Sequence, residues 1–151
     1  MTLTVDQVCQ AKYPGQVEAL NITFLQTATE LLIDKWNVAG IARPTEAELL
    51  AEAPQYEQAY TLIIFMQTGG VLVQNAIDAT ARAKQYTDGV YCASYAQSTN
   101  PAWAAQAQTF IAWRDSMFIY ALQVFANIQS GQPAPTPEKF VAGFPQIVWP
   151  S

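Results

Sequence analysis

The residues that could do nucleophilic or redox chemistry in this chain are two cysteines, Cys9 and Cys92. The sequence contains no histidine, which excludes His-dependent catalytic triads and His-ligated zinc. Cys92 lies between Tyr91 and Tyr95 with no adjacent base or cation to lower its pKa, so we expect a buried, inert thiol. Cys9 is either a second free thiol or one half of an intermolecular disulfide formed after release from the cell.

Other catalytic motifs do not occur. The sequence has no phosphate-binding loop, no dinucleotide glycine fingerprint, no Ser-x-x-Lys pair and no helical pair of metal ligands. Several carboxylates stand where helices are expected to begin, as Glu46, Glu48 and Glu138 do. We therefore predict no catalytic, cofactor-binding or metal-binding residues, and a protein that is not an enzyme.

One charged residue, Arg114, falls inside an otherwise apolar arc of a predicted helix. Its stem either lies along apolar surface with the guanidinium in water, or the guanidinium pairs with a carboxylate such as Asp78 or Asp34. Both interpretations make Arg114 structural.

The charge content narrows the class of partner. Only 13% of the residues are charged, against about 25% in an average protein. The net charge is −5, and the seven basic residues form no cluster. This pattern argues against nucleic-acid binding and against attraction to a membrane surface. Because residues 1–10 lack the apolar core of a signal peptide and apolar stretches such as 62–66 are short, we expect a cytoplasmic protein.

Apolar spacing and stop signals predict helices almost throughout the chain. Thr4, Thr45 and Asn100 are expected N-caps, Pro54 interrupts or resets a helix, and Gly69-Gly70 and Asp88-Gly89 are expected turns. The predicted helices cover about 5–13, 16–38, 46–54, 55–67, 71–86, 101–129 and a turn or two after Thr136. The short apolar stretch over 90–97 is ambiguous between helix and strand, and we favour a short helix because its surroundings are helical. The fold class expected is all-α: a single-domain bundle of four to six helices formed by 1–132. Residues 133–151 add a Pro-rich connector, a short helix and an apolar C-terminal tail to the same domain.

The helix expected over 101–129 has an unusually wide apolar surface. One stripe covers an arc of about 80°, and a second lies about 100° away, so that the whole arc is about 200° wide, twice what a surface helix needs. The helix is therefore either the centre of the bundle or covers both a core and a partner. The first stripe is Phe110, Trp113, Met117, Tyr120, Val124 and Ile128, and the second is Ile111, Phe118, Leu122 and Phe125.

The apolar C-terminal tail is the most unusual segment of the sequence. Phe144, Ile147, Val148 and Trp149 would each cost about 1.5–3 kcal/mol to leave in water. Two prolines keep the segment extended. The tail is either a clasp folded back on its own bundle or a docking peptide for a partner, in which case these four residues form a partner-binding site.

Three sequence blocks resemble a module found in tailed-bacteriophage proteins. The blocks are 78–88 (DATARAKQYTD), 92–96 (CASYA) and 110–115 (FIAWRD), followed by QSGQ at 129–132, PTPE at 135–138 and the closing Trp149-Pro150. The resemblance covers about 71–151. Related modules often carry a tryptophan shortly after the Arg-Asp pair, where this chain has Phe118.

The resemblance implies a function in phage assembly. Proteins with this module are encoded among tail and tail-fibre genes, and many are labelled tail-fibre assembly (chaperone-like) proteins without catalytic residues. It implies a partner in the tail fibre or baseplate, with the chain acting as an assembly factor in the host bacterial cytoplasm or as a small structural component of the virion tail. A second copy of the chain is a further candidate partner. The alternatives are a non-viral intracellular helical adaptor and, more remotely, an enzyme.

Overall fold

The computed structural model describes residues 2–150 and is mostly helical. Helices account for 60% of the chain, and two strands form one small antiparallel sheet. The helical character is confirmed, whereas the all-α class is wrong because of that sheet. In chain order the elements are α1 (Val5–Lys12), β1 (Ile22–Gln26), β2 (Leu31–Trp36), α2 (Glu46–Ala83), α3 (Gly89–Ser94), a 3-10 turn (Tyr95–Gln97), α4 (Pro101–Gln129) and α5 (Pro137–Ala142).

Contacts between residues divide the chain into two compact units. The N-terminal unit is Met1–Ile64 and the C-terminal unit is Phe65–Ser151, so α2 contributes residues to both. Each unit has its own apolar core. The expectation of a single domain stays a prediction.

The predicted helix over 16–38 is wrong, because this stretch forms the β1–β2 hairpin. Ile22 pairs with Trp36 and Phe24 with Ile33, with an irregularity in register after Thr23. β-branched and aromatic residues are common in strands, and the same apolar spacing fits either structure over short runs. Burial decides the outcome, since Ile22 and Ile33 both lie in the core of the N-terminal unit.

The free edge of β2 is closed by side chains. The Glu46 carboxylate accepts a hydrogen bond from the Ile33 N–H at 2.9 Å, and Arg43 donates to the Ile33 carbonyl at 2.9 Å. Arg43 and Glu46 are also paired at 3.1 Å. The backbone bond from Ile33 lowers the pKa of Glu46 below its usual value. These contacts occupy backbone groups that an unprotected strand edge would offer to another chain.

Helix α2 continues through both of its predicted breaks. Pro54 lies inside it, and so do Gly69 and Gly70. Gly69 is buried, with the rings of Phe65 and Phe140 at 3.5–3.6 Å from the position that a Cβ would occupy. Packing on this face offsets the low helix propensity of glycine, which is worth about 1 kcal/mol relative to alanine. The start of α2 was correctly predicted, since Thr45 and Glu48 form the expected capping box.

Among the described helices, α2 alone contains an 18-residue window that is long and apolar enough to cross a membrane by length and composition. Only 17% of that window is buried. The sequence-based expectation missed this window because it placed a turn at Gly69-Gly70. A single helix of this length and composition is weak evidence for a membrane span, so the absence of a membrane role stays a prediction.

Side-chain caps begin the three helices α3, α4 and α5 of the C-terminal unit, and the starts of α4 and α5 were predicted. Asn100 caps α4 by accepting from the Ala102 N–H at 3.0 Å, with Pro101 in the first turn. Thr136 caps α5, and Asp88 caps α3 by accepting from the Tyr91 N–H at 2.7 Å. The ambiguous stretch over 90–97 is helical, as expected.

Gly89, the first residue of α3, lies at a position too closely packed for a side chain. A Cβ there would lie 2.7 Å from the Ile77 side chain and 3.3 Å from Phe110. Its N–H donates to the Asp78 carboxylate at 2.9 Å, which lowers the pKa of Asp78. Gly89 therefore lets α2, α3 and α4 meet at one point.

We predict opposite effects for two glycine-to-alanine substitutions. Gly89→Ala should destabilise the protein by about 1–3 kcal/mol, because the added methyl group overlaps Ile77. Gly70→Ala should stabilise it by about 0.5–1 kcal/mol, because the site is helical, exposed and open within 4 Å. Thermal unfolding of both variants measures this. A Gly89→Ala variant as stable as the wild type would contradict the packing described.

Candidate functional site

The apolar tail packs against the C-terminal unit itself. Phe144 is 8% exposed and forms edge-on contacts with Phe140 and Tyr120, at centroid distances of 5.0 and 6.0 Å. The Trp113 indole N–H donates to the Pro145 carbonyl at 2.8 Å. These contacts favour the clasp over the docking peptide.

The last described residues of the tail divide between core and solvent. The Trp149 ring stacks on Phe110 at 6.2 Å, and the Lys84 ammonium lies 5.2 Å from its centroid. Ile147 is partly buried against the same core. Val148 is 84% exposed, so among the four predicted partner-binding residues of the tail it is the one left accessible to a partner.

Both cysteines are buried thiols. Cys9 lies in the core of the N-terminal unit and Cys92 in that of the C-terminal unit. Burial raises the pKa of each thiol from 9.0 to about 11, with Asp6 and Glu46 contributing further at Cys9. An intermolecular disulfide through Cys9 would therefore require this core to open, because the sulfur has no exposed path to a second chain here.

Arg114 pairs with its sequence neighbour rather than with a distant carboxylate. Its guanidinium lies 2.9 Å from Asp115 Oδ1. The expected partners are engaged elsewhere, since Asp78 accepts from Gly89 and Asp34 accepts from the Thr23 hydroxyl at 3.3 Å. The proposed Arg114 pairing with Asp78 or Asp34 is therefore wrong. The two charges on α4 cancel at the surface.

Helix α4 buries one apolar stripe and exposes part of the other. The buried residues include Phe110, Trp113, Met117 and Ile128, which confirms much of the first stripe. From the second stripe, Phe118 and Leu122 are 45% and 66% exposed, and the neighbouring Ile119 is 65% exposed. Helix α4 is thus not enclosed at the centre of a bundle. We call Phe118, Ile119 and Leu122 the α4 apolar face.

The α4 apolar face borders a shallow surface cavity of about 310 Å³. Phe118 lines it together with Val90 of α3, which is 78% exposed, and with the Arg114–Asp115 pair. The face is therefore extended by Val90 and flanked by an internally neutralised pair of charges.

Charge is distributed unequally between the units. Residues 1–64 contain eight acidic and three basic residues, which is the entire net charge of −5. Residues 65–151 contain four of each and are neutral. The unit that bears the α4 apolar face therefore has no net charge to attract or repel a partner.

A second cavity in the C-terminal unit was not anticipated from sequence. It measures about 480 Å³, and four aromatic residues line it: Tyr86, Tyr91, Tyr95 and Trp103. Sequence reasoning treated Tyr91 and Tyr95 only as neighbours of Cys92. The available signal was the concentration of tyrosines over 86–95 just before a helix whose first turn contains Trp103.

No family model, curated protein or solved structure matches this chain.

We predict that Trp149→Ala and Val148→Ala differ in stability. Removing the Trp149 ring should lower the free energy of unfolding by about 2–4 kcal/mol, because it abolishes the contacts with Phe110 and Lys84. Val148→Ala should change it by less than about 0.5 kcal/mol, since the side chain is exposed. Chemical denaturation of the two variants is the measurement. Equal effects would show that the tail does not act as a clasp.

The buried thiols predict a loss of stability at alkaline pH. Unfolded thiols ionise near pH 9, whereas the folded-state pKa values are about 11. The stability associated with the protonated thiols is therefore present below pH 9 and falls as the pH rises to 11, by about 1.4 kcal/mol per pKa unit for each thiol. The double variant Cys9→Ala, Cys92→Ala should show a shallower decline, which urea unfolding at several pH values measures. Identical slopes would contradict this prediction.

Proposed function

We propose that this protein is a non-catalytic assembly component that binds another protein through the α4 apolar face. The observation that carries this proposal is the exposure of Phe118, Ile119 and Leu122 on a helix whose opposite side already contributes to a core. Full burial of a large apolar side chain is worth about 1.5–3 kcal/mol. Contiguous exposed apolar surface of this kind is typical of interaction sites.

The electrostatics of the C-terminal unit support a protein partner. Charged residues are depleted at the centres of protein–protein interfaces, whereas aromatic residues are enriched there. The α4 apolar face contains no charge, and the two charged residues that line the adjoining cavity, Arg114 and Asp115, neutralise each other at 2.9 Å. A partner can cover this face without leaving an unpaired charge buried.

We infer that the partner is a tail-fibre or baseplate protein of a tailed bacteriophage. The resemblance to phage tail-region proteins spans about 71–151, and this range falls within the unit that carries the α4 apolar face. The protein would act in the host bacterial cytoplasm during assembly, and a retained copy would be part of the virion tail.

The test is co-expression of the full chain with the tail-fibre and baseplate proteins encoded in the same genome. The wild type should co-purify with one of them, and the variant Phe118→Asp, Leu122→Asp should not. Both positions are exposed, so the variant should keep the wild-type melting temperature. Gln123→Asp, which adds a carboxylate at an adjacent exposed position, is the matched control and should bind normally.

Two results would contradict the proposal. One is undiminished binding by the double variant, which would place the contact elsewhere. The other is a genome without tail genes, which would favour the non-viral adaptor. Mass spectrometry of purified virions then separates a retained structural component from a transient assembly factor.

A further inference from the structure

The aromatic cavity of the C-terminal unit has the composition of a binding site. Its four aromatic residues come from the segment between α2 and α3, from α3, from the following 3-10 turn and from the start of α4. Tyr91 and Trp103 are 47% and 49% exposed, so their rings are accessible to a ligand. We name Tyr91, Tyr95 and Trp103 the aromatic row. The remaining lining residues are Ala83, Lys84, Gln85, Tyr86 and Gln106.

The rings of the aromatic row support one another. The centroid distance is 5.3 Å between Tyr91 and Tyr95 and 5.7 Å between Tyr95 and Trp103, and both pairs meet edge to face. The Tyr86 ring packs against the Tyr95 ring with a centroid distance of 5.6 Å. The Tyr86 hydroxyl donates to Gln106 Oε1 at 3.0 Å. The row is therefore held in place before any ligand arrives, which lowers the entropy cost of binding.

The polar groups of the cavity are mainly hydrogen-bond donors. Lys84 and the Trp103 indole can only donate. Because Gln106 accepts through its oxygen, its NH₂ group is left to donate. The Tyr91 and Tyr95 hydroxyls are 2.8 Å apart, so one donates to the other and a single hydroxyl hydrogen remains for a ligand.

This donor-rich lining selects among ligand classes. No carboxylate lines the cavity and Lys84 does, so a cationic ligand would meet a like charge. A sugar presents several hydroxyls that each donate as well as accept. The acceptors that the side chains offer are the Gln85 carbonyl, the remaining lone pair of Gln106 Oε1 and tyrosine hydroxyl oxygens that already take part in hydrogen bonds. A proline-rich peptide is the complementary case, because its carbonyls accept and each proline lacks an N–H.

The geometry also suits such a peptide. A polyproline II helix rises 3.1 Å per residue and completes one turn in about 9 Å, which is comparable with the length of the aromatic row. Aromatic-lined grooves bind this conformation because it is already stiff and its backbone is exposed. We propose that the aromatic row binds a proline-rich segment of a partner protein in the polyproline II conformation. This site is separate from the α4 apolar face and does not depend on the function proposed for it.

The experiment is a titration of the full-length ¹⁵N-labelled protein with a decaproline peptide. The Trp103 indole N–H resonance, assigned by its loss in Trp103→Phe, should shift in a saturable manner. Trp103→Ala and Tyr91→Ala, followed through backbone amide resonances of the cavity residues, should each weaken binding at least tenfold. Met66→Ala, which truncates an exposed apolar side chain of the same unit outside the cavity, should bind like the wild type. Melting temperatures confirm that the variants are folded.

Several outcomes would overturn the proposal. These are no shift with decaproline, an equal shift with a glycine–serine peptide of the same length, or a Trp103-dependent response to maltohexaose but not to decaproline. The chain also contains its own exposed proline-rich segment, Gln132-Pro133-Ala134-Pro135-Thr136-Pro137. Concentration-dependent self-association that Trp103→Ala abolishes would identify a second copy as the occupant and would overturn the assignment to a different protein.

Discussion

The contact of Gly89 with α2 and α4 is the constraint on which the C-terminal unit depends. Gly89 gives its N–H to Asp78 and leaves the space of a side chain to Ile77 and Phe110. Because α3 begins at Gly89, the position of Gly89 fixes the direction in which the next side chains point. Cys92 is fully buried, whereas Val90 and Tyr91 are exposed. Val90 extends the α4 apolar face and Tyr91 belongs to the aromatic row. A single close approach therefore orients one residue of each proposed surface.

Helix α4 carries the other part of both surfaces. Trp103 lies in the first turn of α4, and the α4 apolar face lies in its second half. The buried residues from Ala107 to Met117 lie between these two surfaces along the helix and contribute to the core. The helix is long enough for two partners, since 29 residues rise about 44 Å at 1.5 Å each. The unit itself is neutral, and the N-terminal unit carries the whole net charge of −5. Net charge keeps a protein soluble, so the acidic unit offsets the aggregation tendency of the apolar surface.

The sequence was most informative where a local interaction determines the structure. The caps at Thr45, Asn100 and Thr136 are local, and each lies where its residue type and spacing predicted. It was least informative where a distant contact decides. The hairpin depends on the burial of Ile22 and Ile33 and on the Glu46 and Arg43 side chains, which follow β2 in sequence. The continuation of α2 through Gly69 depends on Phe140, 71 residues later. Neither contact can be read from a window of neighbouring residues.

The two candidate surfaces also differ in how far the sequence could predict them. The α4 apolar face was partly visible in sequence, because an apolar arc of about 200° exceeds what one core can cover. An arc of this width requires either that the helix is enclosed on all sides or that part of the arc faces solvent. The exposure of Leu122 shows that part of it faces solvent. The aromatic row has no such signature, because its rings come from α3, a 3-10 turn and α4, and only the turn over 98–100 brings Trp103 back to Tyr95. Periodicity along one helix can reveal a face, whereas a cavity built from several elements becomes visible only once those elements are packed together.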